Sequence, residues 1–279
     1  MAAARKIIAL LCREPSYIFL AMVDIHCHIL YGLDDGSQTL EESVQMAEMA
    51  IADGTTHIIA TPHANAEYAF RPELIRERLS TLQAKLGTRL ELASGCDFHL
   101  SFENLHDIAT NQTKYTLNQK NYLLVEFADF SIPPGIDDSL HTLQLAGLSV
   151  IVTHPERNAL IRHQPERLWR WMRQGCFVQL TAQSLLGRFG REAARCAEEW
   201  LKADRVHFFA SDAHDLKGRP PLLREAYDAV TKLKGENAAK ALFEENPLAA
   251  FEGRPLPYRP EPPAEESAGT RKRKRFFFF

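Results

Sequence analysis

The stretch MVDIHCHILYGLDDG, from Met22 to Gly36, sets two histidines, two adjacent aspartates and a glycine directly behind an apolar run. Groups of the same kind recur down the chain. His63 follows HIIATP, Asp97 follows ELASGC, Glu126 stands next to last in YLLVEF, His154 ends the apolar part of VIVTHPER, and Asp212 and His214 end VHFFASDAH. With Asp24, His26, His28 and Asp35 they form a set of imidazoles and carboxylates, the mixture that suits Zn, Mn or Fe, whereas an all-oxygen set would suit Mg or Ca better. A metal takes about four protein ligands, so the set is large enough for two or three ions. Clustered ions clamp the attacking and leaving oxygens of a displacement and bring the pKa of a bound water toward neutrality.

A lone histidine at a strand end is ordinarily a hydrogen-bonded structural residue, and H-x-H by itself is a modest signal. The recurrence at successive strand ends is what favours metal. On a strand, side chains at i and i+2 share a face, so His26 and His28 can grip one ion with Cys27 turned away. His57, His99, His106, His141, His163 and His207 lack this context and are read as surface or core residues, although His99 lies close to Asp97. Arg157 stands three residues after His154, and Arg219 closes DAHDLKGRPP after His214. The planar guanidinium fork matches phosphate oxygens. Each arginine alone reads equally well as a loop residue, but two beside a multi-metal site favour a phosphate ester substrate.

These residues need elements to position them. Short β-branched runs alternate with amphipathic stretches. Strands are expected over Tyr17–Ile25, Thr55–Ala60, Leu90–Ala93, Tyr122–Phe127, Leu148–Val152, Cys176–Leu180 and Val206–Ala210. The box Thr39-Leu40-Glu41-Glu42 opens a helix with Leu40, Val44, Ala47 and Ile51 on one face, ended by Gly54. Further helices are expected over Pro72–Leu86, Asp138–Ala146, Arg167–Gln174, Glu192–Lys202, Leu222–Lys232 and Ala238–Glu245, and a loop over Asn104–Asn121. About seven βα units follow, which implies parallel strands with helices outside. In a closed parallel barrel the carboxyl ends of the strands converge on one face, and every ligand-type cluster falls there.

Composition agrees. The chain has 279 residues, 45% hydrophobic and 25% charged, with a formal net charge of −3. Residues 254–279 are basic, so the acidity lies in the body, which argues against nucleic acid as a partner and suits a protein that holds cations. Five cysteines without a C-x-x-C pair read as reduced thiols in a cytoplasmic protein, and no apolar run approaches a bilayer span. Residues 1–21 read as an extension, with Met22 expected as the natural start of a domain over 22–253. Residues 254–279, Pro-rich and ending RKRKRFFFF, are expected to be a solvated, disordered tail, contact with an anionic membrane being the rival reading.

The motifs DIHCH, DDG, TPH, VEF, THPER and SDAHDLKGRPP together resemble the polymerase and histidinol phosphatase (PHP) superfamily. Within it they are most similar to the bacterial protein-tyrosine phosphatases of the CpsB/YwqE type, from capsule and exopolysaccharide loci. The resemblance covers roughly Met22 to Gly253. It implies a distorted (β/α)7, TIM-like barrel with a trinuclear centre, usually loaded with Mn, although Fe, Zn or Mg would fit. It implies a substrate on the phosphotyrosine tail of a bacterial tyrosine kinase. Carried over, His26, His28, Asp97 and Asp212 would hold one ion; Asp97, Glu126 and His154 a second; Asp35, His63 and His214 a third. Arg157 and Arg219 would bind the phosphate, and His214 or a metal-bound water would supply the leaving group's proton. Two departures stand out. Asp97 occupies a position usually filled by Glu, and Ala64 follows TPH where Arg or His is common.

The reaction expected is attack on phosphorus by a metal-activated water. A thiol mechanism would need Cys followed six residues later by Arg, and the residues at that offset are Ile18, Leu33, Phe102, Ala182 and Lys202. The alternative activity is hydrolysis of histidinol phosphate or another small phosphomonoester, which would use every one of the same ligands. A non-catalytic binding protein on this fold is disfavoured by the intact ligand set.

Overall fold

Three of the strands explain the architecture by composition alone. Tyr122–Glu126, Ser149–Thr153 and Phe177–Thr181 are almost continuously buried, as parallel strands covered on both sides must be. The structure, a computed structural model, describes residues 20–128, 130–262 and 264. The expectations for the first nineteen residues and for the RKRKRFFFF tail lie outside them.

In chain order the strands are β1 (Met22–Cys27), β2 (Thr55–Ala60), β3 (His63–Ala64), β4 (Glu91–Ser94), β5 (Asp97–His99), β6 (Tyr122–Glu126), β7 (Ser149–Thr153), β8 (Phe177–Thr181) and β9 (Phe208–Ala210). Every pairing is parallel. They form two sheets, β1-β2-β4 and β3-β5-β6-β7-β8-β9. The sheets are one wall with a step in it. β3 continues β2 after Thr61-Pro62, and β5 continues β4 after Gly95-Cys96. Across the step the Gly95 N–H donates to the Ala60 carbonyl and the Asp97 N–H to that of Pro62. Pro62 has no N–H for the ladder, which accounts for a break at this level. Counted so, the wall has seven strands. Its last strand returns beside its first. Cys27 bridges Ala213 in parallel register, the Asp212 N–H donates to the His26 carbonyl at 2.8 Å, and the His28 N–H donates to the Ala213 carbonyl at 2.8 Å. The result is the expected distorted (β/α)7, TIM-like barrel.

Alternation along the strands divides the core into layers. Leu123, Val125, Val150, Val152, Val178 and Leu180 pack outward against helices. Tyr122, Leu124, Ile151, Phe177 and Phe208 pack with Val23 and Ile25 and with Ala249, Phe251 and Leu256 of the C-terminal segment.

The helix Leu40–Asp53 is capped as expected by Thr39, whose hydroxyl accepts from the Glu42 N–H. Glu42 reaches back to the Gln38 N–H, one residue beyond the box. Its buried residues are Ser43, Met46, Ala47 and Ala50, so the buried face is rotated from the expected stripe, in which Leu40, Val44 and Ile51 are only half-buried. A hydrogen bond between the Ser43 and Ser37 hydroxyls lets a polar residue face inward. The expected loop Asn104–Asn121 is also corrected. It contains most of a helix, Phe102–Ile108, and 3-10 turns at Gln112–Lys114 and Leu117–Gln119. Its polarity concealed an N-cap, the Ser101 hydroxyl accepting from the Asn104 N–H. The last helices run Arg224–Lys234 and, beyond Gly235, Glu236–Glu252 with a π turn at Ala241–Glu245. Among the described residues no helix is long and apolar enough to cross a membrane. The described cysteines, Cys27, Cys96, Cys176 and Cys196, are buried and unpaired with one another.

Candidate metal centre

At the carboxyl ends of these strands, nine side chains converge. Their possible ligand atoms fall into overlapping groups, all within 4.8 Å of one another inside each group: His28, Asp35, His63 and His214; His26, His154 and Asp212; His26, His28 and Asp97; His63, Asp97 and Glu126. All nine expected ligand residues are in these groups. Asp24 is not. Its carboxylate accepts from the backbone and hydroxyl of Ser211 and ties β1 to the end of β9. His99 joins none of the groups.

Asp97 sits at the middle. One of its oxygens is 3.4 Å from His26 Nε2 and 3.3 Å from His63 Nδ1. Both its oxygens and His63 Nδ1 are buried and make no hydrogen bond of good geometry. Glu126 lies 3.5 Å from His63 Nδ1 and 3.6 Å from His154 Nε2. Asp35 stands 3.4 Å from both His63 Nε2 and His214 Nε2. Asp212 turns one oxygen to His26 at 3.4 Å and His28 at 3.6 Å. Its other oxygen accepts from both Arg157 and Arg219.

The far nitrogens of three rings are held from outside. His26 Nδ1 pairs with Gln179 Oε1 at 3.0 Å, His28 Nδ1 with Asp34 Oδ2 at 2.8 Å, and His214 Nδ1 with the Asp212 carbonyl at 3.0 Å. Each bond leaves Nε2 pointing at the cluster, the arrangement that orients metal-binding imidazoles. Asp34 also accepts from the His63 N–H and, through its other oxygen, from the Gly36 N–H. Sequence reasoning missed Asp34 and Gln179 as supports. The paired aspartates of the DDG turn were a signal for the first, and nothing local signalled the second. The backbone is strained at two of the nine residues. His154 has φ 31° and Asp212 φ 50°, left-handed conformations unusual for residues other than glycine and common where function demands a fixed side-chain position.

The charges show what the cluster suits. Burial alone would push His26 down, but Asp97 and Asp212 hold it up at about 9. Burial opposes protonation of His63 as well, and Asp35 and Asp97 raise it to about 11. Burial, and after it His214, lowers His28 to about 4, and burial with Arg157 lowers His154 well below its usual range. Burial and the Asp97 charge lift Glu126 to about 8. Carboxylates crowded out of water thus draw protons onto histidines that would otherwise shed them. Divalent cations fit the same place: orphaned carboxylate oxygens at Asp97, imidazole edges fixed from behind, and carboxylates in excess.

A family model for capsular polysaccharide synthesis, CpsB/CapC, matches residues 22–252, the whole barrel. The chain belongs to the CpsB/CapC family. It is 33% identical over 262 residues to the tyrosine-protein phosphatase YwqE of Bacillus subtilis strain 168, covering 92% of this chain and 100% of that protein. It is 31% identical over 234 residues to the tyrosine-protein phosphatase CpsB of Streptococcus agalactiae serotype V, covering 81% and 96%. Its fold matches, with a TM-score of 0.81 and 32% identity over 88% of this chain and 100% of the other, one of the crystal structures of YwqE from Bacillus subtilis and CpsB from Streptococcus pneumoniae, described as metal-dependent tyrosine phosphatases. For this CpsB/CapC chain, the family resemblance read from the motifs therefore holds.

Proposed function

We propose that this protein is a metal-dependent protein-tyrosine phosphatase that hydrolyses phosphotyrosine on the tail of a bacterial tyrosine kinase and so acts in capsular or exopolysaccharide synthesis. One observation carries the reading. A nine-residue cluster suited to cations shares Asp212 with a pair of arginines, so cation ligands and phosphate-binding forks meet at one carboxylate. The family membership supports the same chemistry.

His26, His28, Asp97 and Asp212 would hold one ion, Asp97, Glu126 and His154 a second, and Asp35, His63 and His214 a third, with Mn the expected metal. When bound, such ions supply Lewis acidity and a water acidic enough to attack near neutral pH. Arg157 and Arg219 bind the outer phosphate oxygens and hold phosphorus in line for displacement. Gln179, Asp34 and the Asp212 carbonyl keep three imidazoles in the required tautomer. His214 or a bound water would supply the leaving group's proton, and little acid catalysis is required because a tyrosyl oxygen has a pKa of about 10.

The test is hydrolysis of a phosphotyrosyl peptide before and after chelation, with Mn added back, alongside histidinol phosphate. Peptide hydrolysis that chelator abolishes and Mn restores is the expected result. Activity confined to histidinol phosphate would replace the substrate assignment with a small-molecule one.

A further inference from the structure

Two guanidinium groups that converge on one carboxylate oxygen repel each other, and something must hold them together. Asp212 is one such group. A second contact is aromatic: the ring of Phe189 has the Arg157 guanidinium over it at 4.6 Å from the centroid and that of Arg219 at 5.7 Å. Both fall within the reach of a cation–π interaction. The Nε of Arg219 is buried and finds no hydrogen-bond acceptor among the described residues.

The topology explains why one side chain can touch both. Arg157 follows β7 and Arg219 follows β9, and β8 lies between those strands in the sheet. Phe189 is on the turn beyond β8 and the short helix Ala182–Leu185 that follows it. The loop is shaped to present it: Gly187-Arg188-Phe189-Gly190 is closed by the Gly190 N–H donating to the Gly187 carbonyl at 3.1 Å, with φ 82° and 90° at the two glycines. Side chains other than glycine rarely adopt such angles. The loop base is fastened to the segment that carries Arg219, because the Gln183 side-chain amide donates to the Pro220 carbonyl.

We infer that Phe189 is a positioning residue that holds Arg157 and Arg219 as one phosphate-binding fork. This rests on the reading of those arginines as the phosphate clamp. The ring's face offsets part of the repulsion between the guanidinium groups and fixes their planes. Without the ring the fork would lose its preset spacing.

The test uses the protein loaded with Mn and compares Phe189→Leu, which keeps apolar bulk without a ring, with Phe189→Tyr, which keeps the ring. Inorganic phosphate is titrated by calorimetry, and KM is measured on a phosphotyrosyl peptide. Phe189→Leu is expected to weaken phosphate binding and raise KM by about tenfold, and Phe189→Tyr to remain within about twofold of the parent. Metal content and melting temperature should not change in either. Phe189→Met repeats the comparison if the leucine variant folds poorly. Unaltered phosphate affinity in the leucine and methionine variants would overturn the inference, as would a tyrosine variant as impaired as leucine. Absence of any peptide hydrolysis by the parent would sink the phosphatase assignment instead, while the phosphate titration would still judge Phe189.

Discussion

Asp212 divides its two oxygens between different tasks, one toward His26 and His28 and the other toward Arg157 and Arg219. The two sides can be separated by substitution. Arg157→Lys and Arg219→Lys keep a positive charge but lose the planar fork, so each should lower kcat/KM on a phosphotyrosyl peptide by about 10- to 100-fold, with metal content measured by atomic absorption unchanged. Asp97→Ala should behave in the opposite way. It removes the central carboxylate between His26 and His63, so metal content falls along with activity. Asp97→Glu, which keeps the carboxylate and adds one methylene, should retain both. Equal metal content in Asp97→Ala and the parent would contradict the central place given to this residue.

The turn from Leu33 to Gly36 shows how an element builds the site. Gly36 packs so closely on β1's continuation that an added Cβ would stand 2.2 Å from the His28 carbonyl oxygen and 2.5 Å from its Cβ, and backbone and a buried ligand residue cannot yield as a flexible side chain would. The same turn presents Asp34 to His28 and Asp35 to His63 and His214. Gly36→Ala should therefore destabilise the fold by about 2 kcal/mol or more and weaken metal binding with it, read as a lower melting temperature and a lower metal stoichiometry. A variant that melts like the parent and loads metal fully would show that the turn yields more easily than its packing implies.

For the whole molecule, stability should depend on the cations and on pH through different groups. Cations bind the native state far more tightly than the unfolded chain, because only folding gathers their ligands, so chelation should lower the melting temperature of metal-loaded protein and Mn should restore it. His207, at the amino end of β9 and so at the opposite end of that strand from Asp212, supplies a pH term of its own. Burial, helped by Arg259, lowers it to about 3, and its Nδ1 accepts from the Val178 N–H. An unfolded histidine takes up a proton near pH 6.5, and the folded one does not until far lower. Stability is thus complete above about pH 6.5 and falls as the pH drops, by about 3 kcal/mol at pH 4. His207→Gln should be less stable at pH 8, having lost a fitted partner, and its denaturation midpoint should vary less between pH 7 and pH 4. An acid slope equal to that of the parent would assign the effect to other groups.

Much of the site could be read before the fold. The types of the ligand residues and their recurrence behind buried runs follow from local sequence, because a parallel barrel brings every strand end to one face whatever the details of its closure. The strands β6, β7 and β8 were legible for the same reason, as each is a short, nearly continuous apolar run. The step through Pro62 and Gly95 was harder to see. It places His63 and Asp97 on short strands of their own, paired with each other, rather than just beyond the ends of longer ones. The hidden helix at Phe102–Ile108 and the rotated face of Leu40–Asp53 depended on polar side chains finding partners inside. Gln179 behind His26, 153 residues away in the chain, and Phe189 beneath two arginines have no local signature at all. The amino-acid sequence by itself determined which chemistry was available and at which end of the strands. Only the tertiary structure decided which atoms face the cations and which support them, because those partnerships exist only once the first and last strands lie side by side.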